Sequence, residues 1–230
     1  MAKSGSASSR DRRTADALAD KYDYYPTPGF ATRALLEKMS PSMRSLHGIR
    51  VLEPAAGMGQ MARVLREEGG AHVVERDIYD YAADKPTPNG NFLADKDHSR
   101  PAWIITNPPF SLLDRFIRRC LAYKSMPSFA MLTRLQALTG KKRGEVFDEF
   151  SPSEIFVFRG TVPFARGKVV RVAGYHAVSH CWMVWNRAEN GMRLGGRTEL
   201  SWIDFDAQKR LECDSDYEHE DGKRTMEMLL

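Results

Sequence analysis

The chain has 230 residues, 42% hydrophobic and 28% charged, which suits one globular domain with an adequate core and excludes a disordered chain. No apolar run approaches the ~20 residues that span a bilayer, and Met1 to Arg13 are small, polar and basic without an apolar signal core, so a cytoplasmic protein with no membrane partner is expected. A net charge of +4 and a pI near 9.0 permit a nucleic-acid partner without requiring one; three widely separated cysteines, Cys120, Cys181 and Cys213, suggest reduced thiols and no metal site.

Residues 1–21 are rich in Ser, Ala and Arg and read as a flexible arm or a frayed helix. Tyr24-Tyr25-Pro26-Thr27-Pro28-Gly29 is an aromatic-rich turn feeding a helix over Phe30 to Met39, with Thr27 as its cap and Pro28 in its first turn. Ile49 to Pro54 is a short strand, Ala55 to Gln60 a small-residue turn, and Met61 to Glu68 a helix. Strand, glycine turn and helix form the nucleotide-cradling half of a βαβ unit, although the turn lacks both the full G-x-G-x-x-G pattern and the P-loop lysine, which argues against a pyrophosphate or triphosphate site. The second strand, Ala71 to Asp77, ends in Glu75-Arg76-Asp77, and an acid about twenty residues beyond such a turn is placed to hydrogen-bond a ribose diol.

Asn91 to Leu93 is expected as a short third strand, Ala102 to Asn107 as the fourth, Leu112 to Tyr123 as a basic helix, and Ser128 to Thr133 as the fifth strand. Helical pattern returns over Gly144 to Phe150, and Glu154 to Phe158 and Cys181 to Trp185 read as two further strands. Arg159 to His180 is a basic insert with the makings of a hairpin. The whole is an α/β chain, doubly wound, with a mainly parallel seven-stranded sheet and an antiparallel terminal strand. Its expected division is an arm at 1–21, a main domain at 22–190 with the insert at 159–180, and an extension at 191–230 that turns acidic from Glu212 to Asp221. From Arg134 to Arg171 eight basic residues face four acidic ones, an excess that supports a phosphate path along this stretch.

The chemistry concentrates at Ile104-Ile105-Thr106-Asn107-Pro108-Pro109-Phe110. A β-branched apolar run is a buried strand, and two prolines end it abruptly because proline fixes φ and donates nothing to a ladder. The rigid tip presents an amide, a fixed carbonyl and an aromatic ring. The Asn107 side-chain oxygen and the Pro108 carbonyl can accept from the –NH₂ of a planar substrate while Phe110 covers the ring face.

Together these motifs resemble class I S-adenosylmethionine-dependent methyltransferases of the amino-methylating type, and most of all the small phage- or prophage-borne DNA adenine-N6 methyltransferases. The resemblance covers Tyr24 to Trp185 and rests on the order of three motifs: Tyr24-Tyr25-Pro26-Thr27-Pro28, Glu53-Pro54-Ala55-Ala56-Gly57-Met58-Gly59 and Asn107-Pro108-Pro109-Phe110. It implies a Rossmann-like fold, S-adenosyl-L-methionine as cofactor and DNA as partner. Asn107, Pro108, Pro109 and Phe110 would be the catalytic set. Thr27 and the backbone of Gly57 and Gly59 would hold the methionine end of the cofactor, and Tyr25, Glu53, Pro54 and Ala55 would also bind it. Asp77, with Glu75 as the competing choice, would take the ribose. Asn91 and Phe92 fall where the family has an Asp-Phe pair at the cofactor adenine; Asn replaces Asp here, and Asp95 is the alternative acid.

Hydrogen bonds from the amino group to Asn107 and Pro108 would localise its lone pair and aim it at the sulfonium methyl, a catalysis of orientation and fixed dipoles that needs neither cysteine nucleophile nor metal. A base in a duplex cannot reach such a site, so the resemblance implies a flipped-out target stacked on Phe110. Lys141, Lys142, Arg143, Arg159, Arg166 and Lys168 would line the phosphate path. The chain is too short for a separate target-recognition domain, which leaves recognition to the insert. The same tetrapeptide also serves methylation of guanine N2 in RNA and of a glutamine amide in protein, and a non-catalytic nucleic-acid-binding module of this fold is the alternative of another class.

Overall fold

The computed structural model describes residues 24–39, 46–81, 90–94, 100–172, 178–188, 191–192 and 197–217. The arm at 1–21, Asp95, the end of the acidic tail and the side chain of Lys142 lie outside the described residues.

Among the described residues five α-helices form: α1 (Gly29–Lys38), α2 (Gln60–Glu67), α3 (Leu113–Leu121), α4 (Lys141–Glu149) and α5 (Ala207–Leu211). The first strands are β1 (Arg50–Glu53), β2 (His72–Glu75), β3 (Trp103–Thr106), β4 (Ser128–Arg134) and β5 (Glu154–Phe158). The insert does form a hairpin, β6 (Phe164–Ala165) with β7 (Lys168–Val169). Next come β8 (His180–Trp185), a second small hairpin of β9 (Arg187–Ala188) and β10 (Gly191–Met192), and β11 (Glu199–Ile203).

Seven strands make one sheet in the spatial order β11, β5, β8, β4, β3, β1, β2. All neighbours are parallel except β8, which runs against both β4 and β5. The antiparallel strand is therefore inside the sheet, and its first residue, His180, lies at the carboxyl edge of its neighbours, directly opposite Arg134. The seventh strand is not the expected one. Asn91 to Leu93 is a turn: the Asn91 side-chain oxygen accepts from the Leu93 N–H at 3.1 Å, a local satisfaction of the backbone that competes with a ladder. The place is filled at the far edge by β11, whose exposed Leu200 and Trp202 and charged first residue hid it from a search for apolar runs.

Successive residues of the central strands face opposite sides, which splits the core in two. Ile105, Ala130, Leu132 and Trp182 pack with α1 and α2 through Phe30, Leu35, Met61 and Leu65. Ile104, Phe129, Met131 and Met183 pack with α3 and α4 through Leu113, Phe116, Ile117 and Val146. The two buried indoles are satisfied, Trp182 donating to the Ala31 carbonyl and Trp185 to the Phe150 carbonyl, each at 2.9 Å. A buried ion cluster ties residues 207–217 to the first sheet face: Asp216, its side chain 1% exposed, takes the guanidinium groups of Arg33 on α1 at 2.7 Å and Arg63 on α2 at 2.9 Å. Arg33 also pairs with Glu68, and these carboxylates raise its pKa against the lowering effect of burial. None of the described helices is long and apolar enough to cross a membrane.

Candidate active site

The parallel strands β1, β2, β3 and β4 end on one edge, and there the backbone must turn with its polar groups still to be satisfied. After β1 it does so through Gly57 and Gly59, with φ of +57° and +83°. The Gly57 N–H donates to the Asp77 carboxylate at 2.8 Å, and the second oxygen of Asp77 accepts from the Tyr79 N–H at 3.1 Å. Asp77 is 6% exposed; burial raises its pKa, and the backbone donors Gly57, Tyr79 and Ile78 oppose the rise.

A cleft enclosing about 580 Å³, part of it continuous with solvent, opens beside this turn. Of the residues singled out in the sequence, Tyr25, Pro54, Ala55, Asp77, Asn91, Phe92, Asn107 and Pro109 line it. Tyr24 and Tyr81, stacked at 4.2 Å, form a second wall. Glu75 is not on the wall; it pairs with Arg66 of α2. The glycines have a structural reason as well as a binding one. A Cβ at Gly57 would stand 2.4 Å from the Tyr24 ring, and one at Gly59 would stand 2.6 Å from the Glu75 carboxylate. A bulky residue there would disrupt the turn whether or not anything binds to it.

Thr27 does not cap α1. Pro28 occupies the cap position, and the Thr27 hydroxyl instead accepts from the Asn107 amide nitrogen at 3.1 Å. The same nitrogen donates to the Tyr25 carbonyl, also at 3.1 Å. Asn107 is thus held by its amino end, and its Oδ1 is buried without a partner. Glu53 Oε2, at the end of β1, is a second buried oxygen without one; burial first, then the charges of Glu75 and Asp77, pushes that carboxyl well above its usual range. An unmatched buried acceptor costs about 1–3 kcal/mol, so Asn107 Oδ1 suits a donor from a bound molecule.

Phe110 lies outside the cleft lining, half-buried in an aromatic nest. The Arg134 guanidinium sits over its ring at 4.5 Å, with Tyr25 at 6.2 Å, His180 at 6.0 Å and Phe164 of β6 at 6.4 Å. His180 is 2% exposed with Nδ1 unpartnered; burial, then the neighbouring Arg134 charge, lowers its pKa to about 4. Sequence reading did not single out Phe164, His180 or Tyr81 as site residues, and it took Arg134 only as the first residue of the basic stretch. Only the antiparallel β4–β8 pairing sets His180 beside Arg134, and no local pattern announces it.

The basic residues meet different fates. Arg166 of the β6–β7 turn lies over the Tyr25 ring at 5.9 Å, and the Gly167 N–H donates to the Tyr24 carbonyl at 3.0 Å, so this hairpin leans on the nest. Lys141 and Lys168 are exposed. Arg143 is engaged by Asp114 of α3 at 2.9 Å, and Arg159 covers Trp202 of β11 at 5.5 Å.

No protein-family model and no characterised protein sequence matches the chain. Among solved structures it is similar to a proposed RNA methyltransferase from Pyrococcus horikoshii, with a TM-score of 0.54 and 17% identity over 80% of this chain and 99% of that one. It is also similar to the methyltransferase subunit of a type I restriction-modification system from Streptococcus thermophilus, with a TM-score of 0.50 and 9% identity over 86% of this chain and 56% of the other. The chain thus spans little more than half the length of that subunit. The likeness is one of fold: a mainly parallel seven-stranded sheet of the class I, Rossmann-like methyltransferase type.

Proposed function

We propose that the protein transfers a methyl group from S-adenosyl-L-methionine to the N6 amino group of adenine in DNA, by direct in-line attack on a flipped-out base. One observation carries this reading: Asn107, a residue of the cleft wall, is fixed by its nitrogen to Tyr25 and Thr27 while its buried Oδ1 has nothing to accept from. A group held that way is preorganised for an amino donor.

The cleft fits the cofactor by its donor set. Asp77, tied to backbone N–H groups and still offering lone pairs to the cleft, suits the ribose hydroxyls, and Glu75 is spent on Arg66. Asn91 and Phe92 line the same wall and suit the adenine. Tyr25, Thr27, Pro54, Ala55 and the turn of Gly57 and Gly59 would surround the methionine end, with the unmatched Glu53 oxygen below it. The bound cofactor supplies an electrophilic methyl on a sulfonium. The protein's part is to hold the amino group: Asn107 Oδ1 and the Pro108 carbonyl accept its hydrogens and turn the lone pair toward that methyl, Pro109 keeps the tip stiff, and Phe110 stacks the base. The surplus proton on N6 passes to water after transfer.

DNA as partner is supported by the restriction-modification subunit among the similar structures and by Lys141, Lys142, Arg143, Arg159, Arg166 and Lys168 on elements that follow the carboxyl ends of β4 and β5. Amino methylation of an RNA base is the second reading, favoured by the Pyrococcus structure, which the chain covers almost entirely. The deciding experiment incubates the protein with methyl-labelled cofactor and DNA, RNA or protein, then identifies the labelled product. Label in N6-methyladenine of DNA is the expected result. Label in an RNA base or a glutamine amide would replace the reading, and cofactor binding with no transfer would leave a binding module.

A further inference from the structure

Six arginines elsewhere in this protein are spent on carboxylates, Arg33 and Arg63 on Asp216, Arg66 on Glu75, Arg143 on Asp114, Arg171 on Asp214 and Arg210 on Glu37, while Arg119, Arg159 and Arg166 lie over rings away from Phe110. Arg134 is different. Among the described residues it has no carboxylate partner, and its guanidinium lies over the Phe110 ring at 4.5 Å. That planar cation occupies the surface a planar base would use. It stands on the last residue of β4, directly opposite the buried and neutral His180, so the histidine adds no charge beside it.

Two magnitudes decide the outcome when a base arrives. An exposed cation over an aromatic face is worth about two- to fivefold in an equilibrium constant, whereas a stacked base is worth about five- to 150-fold, so the base displaces the guanidinium. The displaced group keeps five donors and a full charge, and a phosphate oxygen pair matches its fork.

We propose that Arg134 holds the Phe110 face until the target base enters and then binds the phosphate of that same nucleotide. The proposal rests on the reading of the protein as a nucleic-acid base methyltransferase. It adds the residue that registers the flipped nucleotide by its backbone while Asn107 takes its amino group, and it explains why an arginine without a carboxylate is parked on the ring.

The test compares wild type with Arg134→Ala and Arg134→Lys, using unmethylated plasmid DNA, labelled cofactor and a series of salt concentrations. For Arg134→Ala, KM for DNA should rise about 10-fold, kcat should stay within about threefold, and the slope of log KM against log salt should fall by about one phosphate contact. Affinity for S-adenosylhomocysteine and the melting temperature should hold. Arg134→Lys keeps a point charge and should restore the slope and most of the KM. An unchanged KM and slope in Arg134→Ala, or a loss confined to kcat, would overturn the proposal while leaving the methyltransferase reading intact. A wild-type protein that binds S-adenosylhomocysteine yet labels no DNA would overturn that reading, and the proposal with it.

Discussion

The two halves of the carboxyl edge are built on opposite plans. The cleft beside Asp77 is open and is made by consecutive backbone, a glycine turn after β1 and an acid after β2, tied by one hydrogen bond between Gly57 and Asp77. The nest around Phe110 is made of side chains from five separate segments: Tyr25 before α1, Phe110 after β3, Arg134 on β4, Phe164 on β6 and His180 on β8. The difference teaches what each half can tolerate. A backbone cradle fails when a single Cβ is added, whereas a nest of rings fails or opens by degrees as its members are trimmed. Asn107 belongs to both, because its nitrogen donates to Tyr25 and Thr27 and the residue lines the cleft.

Cutting that joint should give the largest effect. Asn107→Ala is expected to lower turnover about 100- to 1,000-fold, the usual range for removing one preorganised polar contact to a reacting group. It should also lower the melting temperature, since the Tyr25 carbonyl and the Thr27 hydroxyl lose their donor, at about 1 kcal/mol for each bond. Single-turnover labelling beside thermal melts separates the two effects. Wild-type turnover per folded molecule would show that Asn107 is only a strut between halves.

The nest should betray itself in acid. Unfolded His180 takes up a proton below pH 6.5, whereas the folded ring, buried and next to Arg134, resists protonation down to about 4. Between those values the unfolded state binds more protons, so the native state loses stability as pH falls, by at most about 3 kcal/mol from this residue. His180→Phe keeps the aromatic packing and should flatten that part of the stability curve while leaving pH 7 to 8 little changed. Denaturant titrations of both proteins at pH 7 and pH 4 measure the difference; equal acid losses would mean that His180 is solvated.

In the open half, Asp77→Ala should weaken cofactor binding by about 1.5–3 kcal/mol, the cost of a lost charged hydrogen bond, and Glu75→Ala should weaken it much less. Calorimetry with S-adenosylhomocysteine ranks the two, and the reverse order would move the ribose site to the α2 side. Gly57→Val and Gly59→Val are poorer tests of binding, because Tyr24 and Glu75 already fill the space that a side chain would need. The smallest effect belongs to Arg166→Ala, which removes an exposed cation from the Tyr25 ring at 5.9 Å and should cost about 0.5–1 kcal/mol of stability. If the hairpin leans on the nest as described, amide exchange at Gly167 should quicken in that variant.

Elements whose signal is local were legible along the chain. Apolar runs with β-branched residues marked β1, β3, β4 and β5, the glycine turn marked the cradle, and Asn107-Pro108-Pro109-Phe110 marked the rigid tip, because in each case neighbouring residues carry both the pattern and its cause. Spacing allowed either Asp77 or Glu75 at the cleft, and the structure adds that Asp77 lines it and holds the Gly57 N–H while Glu75 pairs with Arg66. The tertiary structure alone decided the rest. Asn91 satisfied its own backbone and left the sheet, and β11 took the seventh place although its exposed face carries no core pattern. Thr27 gave up the cap to hold Asn107. Arg134 and His180 became neighbours only because β8 runs antiparallel between β4 and β5, so that its first residue meets the last residue of β4. Such contacts join residues dozens of positions apart through strand order and direction, and no periodicity within a short window encodes either.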